Sequence, residues 1–268
     1  MQLVDTHCHI HEAEGVDEVA ERWHKAGIFQ AAPLVADARD AGVTRLICVG
    51  CTVRDSKLAV AFAGKQDGVW ASIGIHPHEA QRYLGDEAAW AEFATLATKP
   101  KVVAVGECGL DYFYTHSPKE AQVAMLHKQL ELAQKHNLPL IFHVREAFDD
   151  FWPIFDNYQG LRGVVHSFTA GERELEQILS RGLYVGLNGI MTFTKHVNQL
   201  DAAKAVPLEK LVLETDAPFL TPQPLRGTIN APRHVSLVAK FLADLRGESE
   251  ADLAAATTKN AQTLFGLS

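Results

Sequence analysis

Two histidines one residue apart, His7 and His9, are the first residues in the chain with the makings of chemistry. On a strand, residues two apart point to the same face. Both imidazoles would then face one way and Cys8 the other, which makes a metal-ligand pair. His11 continues the alternation but is expected beyond the strand. Glu107 offers two carboxylate oxygens and so could bridge two ions. His143 and His166 are placed to hold the second ion, and Asp216 to touch the first ion and its water. Nitrogen and oxygen donors without thiolate suit magnesium, manganese or zinc, with the choice between them open. Two divalent ions in such a site point to hydrolysis by an activated water. Asp216 would be the general base and Glu107 the second catalytic carboxylate. No Gly-x-Ser-x-Gly elbow occurs, and no covalent enzyme intermediate is needed. His76 and Arg145 remain for a substrate anion, since a guanidinium can pair with a phosphate through two hydrogen bonds.

These residues follow short apolar runs rich in Val, Ile and Leu. The runs are Gln2–Asp5, Arg45–Val49, Trp70–Ile75, Val102–Val105, Pro139–Phe142, Gly163–Val165, Leu183–Gly186 and Leu211–Leu213. Most read as strands buried on both faces. Helical patterns lie between them. Ser117-Pro118-Lys119-Glu120 reads as a capping box with proline at the first helical position. Val123, Leu126, Leu130 and Ala133 then fall at helical spacing, and Asn137-Leu138-Pro139 stops the helix. Gly182 and Gly42 close two further helices. Strands alternating with helices imply a parallel α/β sheet. Eight such units predict a (β/α)8 TIM barrel, one domain over 1–268, with an open doubly wound sheet as the alternative. In a barrel the strand ends share one rim, where active sites are built. Residues 11–32 exceed a usual connection and are expected to add a surface helix.

Composition removes several function classes. The formal net charge is −8, from 25 Lys and Arg against 33 Asp and Glu. That argues against a nucleic-acid groove built from basic side chains alone. Nucleic acid held through ions stays possible, because two divalent cations add about four positive charges. Neither a dinucleotide-binding glycine fingerprint nor a phosphate-binding P-loop occurs, so no nucleotide cofactor is expected. Cys48 and Cys51 form a lone C-x-x-C, too little for a zinc ribbon, and Cys48 reads as a buried reduced thiol. No signal segment and no membrane-length apolar stretch is present, so a cytoplasmic location is expected.

The motifs together resemble the TatD family of metal-dependent deoxyribonucleases, within the amidohydrolase-type barrels. The resemblance rests on Asp5-Thr6-His7-Cys8-His9, Gly74-Ile75-His76-Pro77-His78, Val105 to Tyr112, His143-Val144-Arg145, His166-Ser167-Phe168-Thr169 and Leu213 to Pro218. The closing Asn260-Ala261 and Leu264-Phe265 are also similar to that family. It implies a (β/α)8 barrel with His7, His9, Glu107, His143, His166 and Asp216 as metal ligands. It implies phosphate contact near His76 and, by position, Arg145. It further implies a DNase, reported in the family as a 3′–5′ exonuclease on single strands. One stretch departs from the pattern. Many members carry Lys-Arg-Asn-Glu-Pro after the last strand, where this chain reads Thr228-Ile229-Asn230-Ala231-Pro232. The competing expectations are a small-molecule amidohydrolase or phosphoesterase on the same barrel and a non-catalytic metal-binding scaffold.

Overall fold

The computed structural model describes residues 2–267. Eight strands are hydrogen-bonded in chain order in one sheet: β1 (Leu3–Cys8), β2 (Val43–Val49), β3 (Val69–Ile73), β4 (Val102–Asp111), β5 (Leu140–Arg145), β6 (Gly163–Val165), β7 (Tyr184–Leu187) and β8 (Leu211–Leu213). Helical segments lie between successive strands, and the described pairings are parallel. A parallel bridge from Cys8 to Ala217 sets the end of β1 beside the chain that leaves β8. This is the (β/α)8 architecture expected from the alternation. Among the described residues no helix is long and apolar enough to cross a membrane.

The chain forms two compact units. One is built from residues up to Cys48, from Gln66–Val69 and from Ser167 onward; the other from Val49–Lys65 and Trp70–His166.

In the first unit, β1 is buried along its whole length. The Thr6 hydroxyl donates to the Leu213 carbonyl (3.0 Å), tying β1 to β8. The segment after β1 forms a 3₁₀ turn, Ile10–Glu14, and a helix, Glu18–Lys25. Asp17 starts that helix by accepting from the amides of Val19 and Ala20. This is the extra helix expected within residues 11–32, but its anchor is buried: Trp23 is fully enclosed. Gly42 and Gly182 take positive φ just past the helices Ala32–Asp40 and Glu172–Ser180, as helix-ending glycines do.

In the second unit, β4 and β5 are the longest-paired neighbours. Gly109 sits opposite His143, and Asp111 opposite Arg145. Gly109 has φ +150, and a Cβ there would strike the His143 carbonyl oxygen. Only glycine permits that approach of the two strands. Phe142 faces the helix layer, with its ring 5.1 Å from Phe151 and 5.7 Å from Phe155. By strand alternation that directs His143 to the opposite face. The helix over Lys119–His136 begins one residue later than its capping signal suggests. Pro118 is the N-cap, and the Ser117 hydroxyl donates to the His78 carbonyl (2.7 Å) and accepts from the Gln81 amide instead. Asn137, at φ 52, closes the helix in the left-handed conformation.

Candidate metal centre

The first unit brings His7, His9 and Asp216 together. His7 ends inside β1, and His9 lies just past it at the start of the 3₁₀ turn. Their Nε2 atoms are 3.2 Å apart. Asp216 Oδ1 lies 3.3 Å from His9 Nε2 and 3.7 Å from His7 Nε2. Donors about 2.1 Å from a four-coordinate divalent ion stand about 3.4 Å apart. The three edges match that value, so these residues fit a small divalent cation. Cys8 is turned away, its thiol against the Ile47 carbonyl, as the alternation requires. His11 is buried beyond the strand, beside Cys48, and does not join the triangle.

Backbone pairing sets the triangle. The Asp216 amide donates to the His7 carbonyl (2.8 Å) and the His9 amide to the Ala217 carbonyl (2.7 Å). Asp216 itself has φ 60, a left-handed conformation that Asp tolerates better than most residues and that turns its carboxylate out of the strand line. Beneath lies Asp5, fully buried. It accepts from the Thr215 hydroxyl (2.6 Å), the Thr215 amide (2.9 Å) and the His7 amide (3.2 Å). Burial pushes its carboxyl up to about 8, against the pull of those hydrogen bonds. Glu214 accepts from the Ser167 amide and the Asn188 side chain. Asn230 clamps the exit of β8, donating to the carbonyls of Thr215 and Phe219. Trp23 adds a long-range tie: its indole N–H donates to the His9 carbonyl (3.1 Å).

The second unit gathers Glu107, His143, His166 and His76. Glu107 Oε1 lies 2.7 Å from His143 Nδ1, 3.4 Å from His76 Nε2 and 3.6 Å from His166 Nε2. His76 Nε2 is 3.3 Å from His143 Nδ1. His76, Glu107 and His143 thus offer three donor atoms within reach of one ion. The Cys51 thiol donates to the other Glu107 oxygen (3.7 Å). His76, which the sequence reading assigned to the substrate anion, has its ring beside Glu107 and His143. Burial pushes its imidazole down to about 4, with Glu107 pulling the other way. At neutral pH it is an uncharged donor or acceptor, not a cation.

Two residues that the sequence reading gave no role complete this half. Asp111 Oδ2 lies 2.9 Å from His143 Nε2 and 2.9 Å from His78 Nε2. Burial opposes ionisation of Asp111, but the hydrogen bonds from His143 and His78 outweigh it and hold the carboxyl below its usual range. His143 is disfavoured as a cation by burial, yet its bonds to Asp111 and Glu107 push its pKa up. A histidine with a carboxylate on its far nitrogen is the usual form of a metal-ligating imidazole. Alternation held a signal for Asp111, because Glu107, Gly109 and Asp111 fall on one face of β4. Arg145 is exposed at the end of β5, with its guanidinium carbon 4.1 Å from the Phe113 ring centre and 4.6 Å from that of Tyr114.

Comparison with known proteins decides the family. The profile for TatD related DNase matches residues 4–266. The chain belongs to the TatD family. An uncharacterized metal-dependent hydrolase of Bacillus subtilis is 32% identical over 98% of both chains. The 3′–5′ ssDNA/RNA exonuclease TatD of Escherichia coli is 36% identical over 87% of this chain and 92% of its own. Among solved structures, a TatD-family hydrolase from Entamoeba histolytica superposes with a TM-score of 0.88 at 24% identity, covering 100% of this chain and 99% of its own. A TatD homologue of Escherichia coli gives 0.85 at 27% identity, covering 99% and 98%. The chain is therefore a metal-dependent hydrolase of the TatD family, with the family's (β/α)8 fold.

Proposed function

We propose that this TatD-family hydrolase is a 3′–5′ exonuclease on single-stranded DNA or RNA, using two divalent ions. Its hydrolytic half is carried by the His7, His9 and Asp216 triangle, whose edges of 3.2, 3.3 and 3.7 Å fit one ion. The substrate class is taken from the relatives named as single-strand exonucleases. In this reading His7, His9 and Asp216 would hold one magnesium, manganese or zinc ion, and Glu107, His143 and His166 would hold the second. Glu107 would be the anionic donor of that second set. When bound, such ions supply the Lewis acidity that makes water reactive toward a phosphodiester and stabilises charge on the leaving oxygen.

The chain's own side chains do the rest. Asp216 accepts the proton of the attacking water and returns one to the departing oxygen. Asp111 fixes the tautomer and orientation of His143 through its Nε2. His76 contributes a hydrogen bond to the substrate, and Arg145 a charge-assisted pair with a phosphate oxygen. The chain is read as a single hydrolase domain over 1–268, and the cytoplasm is the proposed compartment.

A second reading, a small-molecule hydrolase, is favoured by one feature: Thr228-Ile229 and Ala231 stand where many family members carry Lys-Arg and Glu. End-labelled single-stranded oligonucleotide with manganese or magnesium separates the two. The exonuclease gives a metal-dependent ladder from the 3′ end that Asp216→Asn lacks. A metal-loaded wild type that leaves the oligonucleotide intact would favour the small-molecule reading.

A further inference from the structure

Directly beyond β4, two neighbouring aromatic rings stand half in water. Phe113 is 49% exposed and Tyr114 47%. They meet edge to face, with centroids 4.7 Å apart at 87°. The Arg145 guanidinium sits over both. Tyr114 is also stacked on the exposed ring of His116, 5.9 Å away and 20° from parallel. Tyr112, one residue earlier, behaves differently. It is half-buried, with Lys119 Nζ 3.7 Å from its ring centre. Packing accounts for Tyr112 and leaves the exposure of Phe113 and Tyr114 without a structural use.

The pair is fastened to the second donor cluster. The amides of Phe113 and Tyr114 both donate to Asp111 Oδ1, at 3.0 and 2.9 Å. The other Asp111 oxygen takes His143 Nε2. The Tyr112 amide donates to the Arg145 carbonyl (3.0 Å). Arg145 is two residues along β5 from His143, a rise of about 7 Å. One side chain thus sets both the imidazole at the donors and the backbone of the exposed rings.

We propose that Phe113, Tyr114 and Arg145 form a stacking platform for an unpaired nucleobase of the single-stranded substrate, beside the Glu107 and His143 donors. This rests on the nuclease reading above and adds to it a binding subsite. Aromatic faces stack on any base, so the grip is tolerant of sequence. Arg145 adds charge complementarity: its face meets the rings while its N–H groups, in the guanidinium plane, can take a phosphate. Stacking also answers the charge problem. With a net charge of −8 the chain has little general attraction for a nucleic-acid backbone, and base stacking supplies affinity that does not depend on it. Bases inside a duplex are already stacked on each other, so the platform selects single strands.

The test compares wild type with the double variant Phe113→Ala/Tyr114→Ala and with Phe113→Trp/Tyr114→Trp, on oligonucleotides with manganese. Melting curves check that each variant is folded. The alanine pair raises KM about tenfold or more, with a smaller fall in kcat, and the tryptophan pair restores the wild-type KM. An abasic residue placed near the 3′ end raises KM for the wild type but not for the alanine pair. If wild type cleaves and all three proteins share one KM, the platform is overturned while the nuclease reading stands. If metal-loaded wild type cleaves no oligonucleotide, both fall together.

Discussion

The two donor clusters are built by different means. In the first, His7, His9 and Asp216 are aimed by backbone hydrogen bonds between β1 and the segment after β8, and the buried Asp5 carboxyl locks that backbone. In the second, Glu107, His143 and Asp111 are aimed by one another's side chains. A backbone-built cluster fails when the strand ends shift. A cluster built from side chains fails when one carboxylate loses its charge, with the fold unchanged. Geometry therefore guards the first cluster and electrostatics the second.

Substitutions sharpen this contrast. The largest effect is expected at Asp216, whose carboxylate is the proposed general base. Asp216→Asn should lower turnover about 10²–10⁴-fold, with a melting temperature close to wild type; near-normal turnover in a steady-state assay would remove Asp216 as the base. Asp111→Asn should come next. An amide can still accept from His143 but no longer favours the same charge, so metal affinity or activity should fall about 10–100-fold. Titration of metal into the folded variant reads this directly, and unchanged affinity would break the electrostatic half of the comparison. Asp5→Ala should act through stability instead. It leaves the buried Thr215 hydroxyl and amide without their acceptor, an expected loss of about 1–3 kcal/mol in denaturant unfolding. A variant that keeps full stability but loses metal would assign Asp5 to the wrong class. Smallest is Trp23→Phe, which keeps most of the buried ring but removes the hydrogen bond to the His9 carbonyl. About 1 kcal/mol of stability and a few-fold loss in activity are expected, and an equal loss in both clusters' metal affinity would contradict a tie confined to His9.

Much of this was legible in the sequence, for identifiable reasons. The strands at Gly163–Val165 and Leu211–Leu213 match their apolar runs residue for residue, because polarity changes sharply where each strand ends. β1, β4 and β5 run three to six residues past the apolar runs. There His7, Glu107, Asp111 and His143 alternate with Thr6, Cys8, Cys108, Leu110 and Val144, so the continuous apolar stretch ends before the strand does. That His7, His9 and Asp216 would gather, and Glu107, His143 and His166 likewise, was readable from residue type and position relative to a strand. Their supports were not. His78 acts through Asp111, and Asp111 acts on a residue in the next strand, so neither has a local pattern beyond alternation. Trp23 reaches His9 across 14 residues of turn and helix, and nothing in its neighbourhood announces a hydrogen bond to the His9 backbone. Arg145 was readable as a cation near the site, but its place over Phe113 and Tyr114 depends on the pairing of β4 with β5.

The central claim is that both clusters hold divalent ions, and metal content tests it most directly. Wild type, His9→Ala and Glu107→Gln would be stripped, reloaded with manganese, freed of excess ion and measured by elemental analysis alongside protein concentration. The account predicts about two ions per chain in wild type and a clear loss in each variant, with all three still folded. Retention of the full complement by both variants, or no bound ion in the folded wild type, would contradict it.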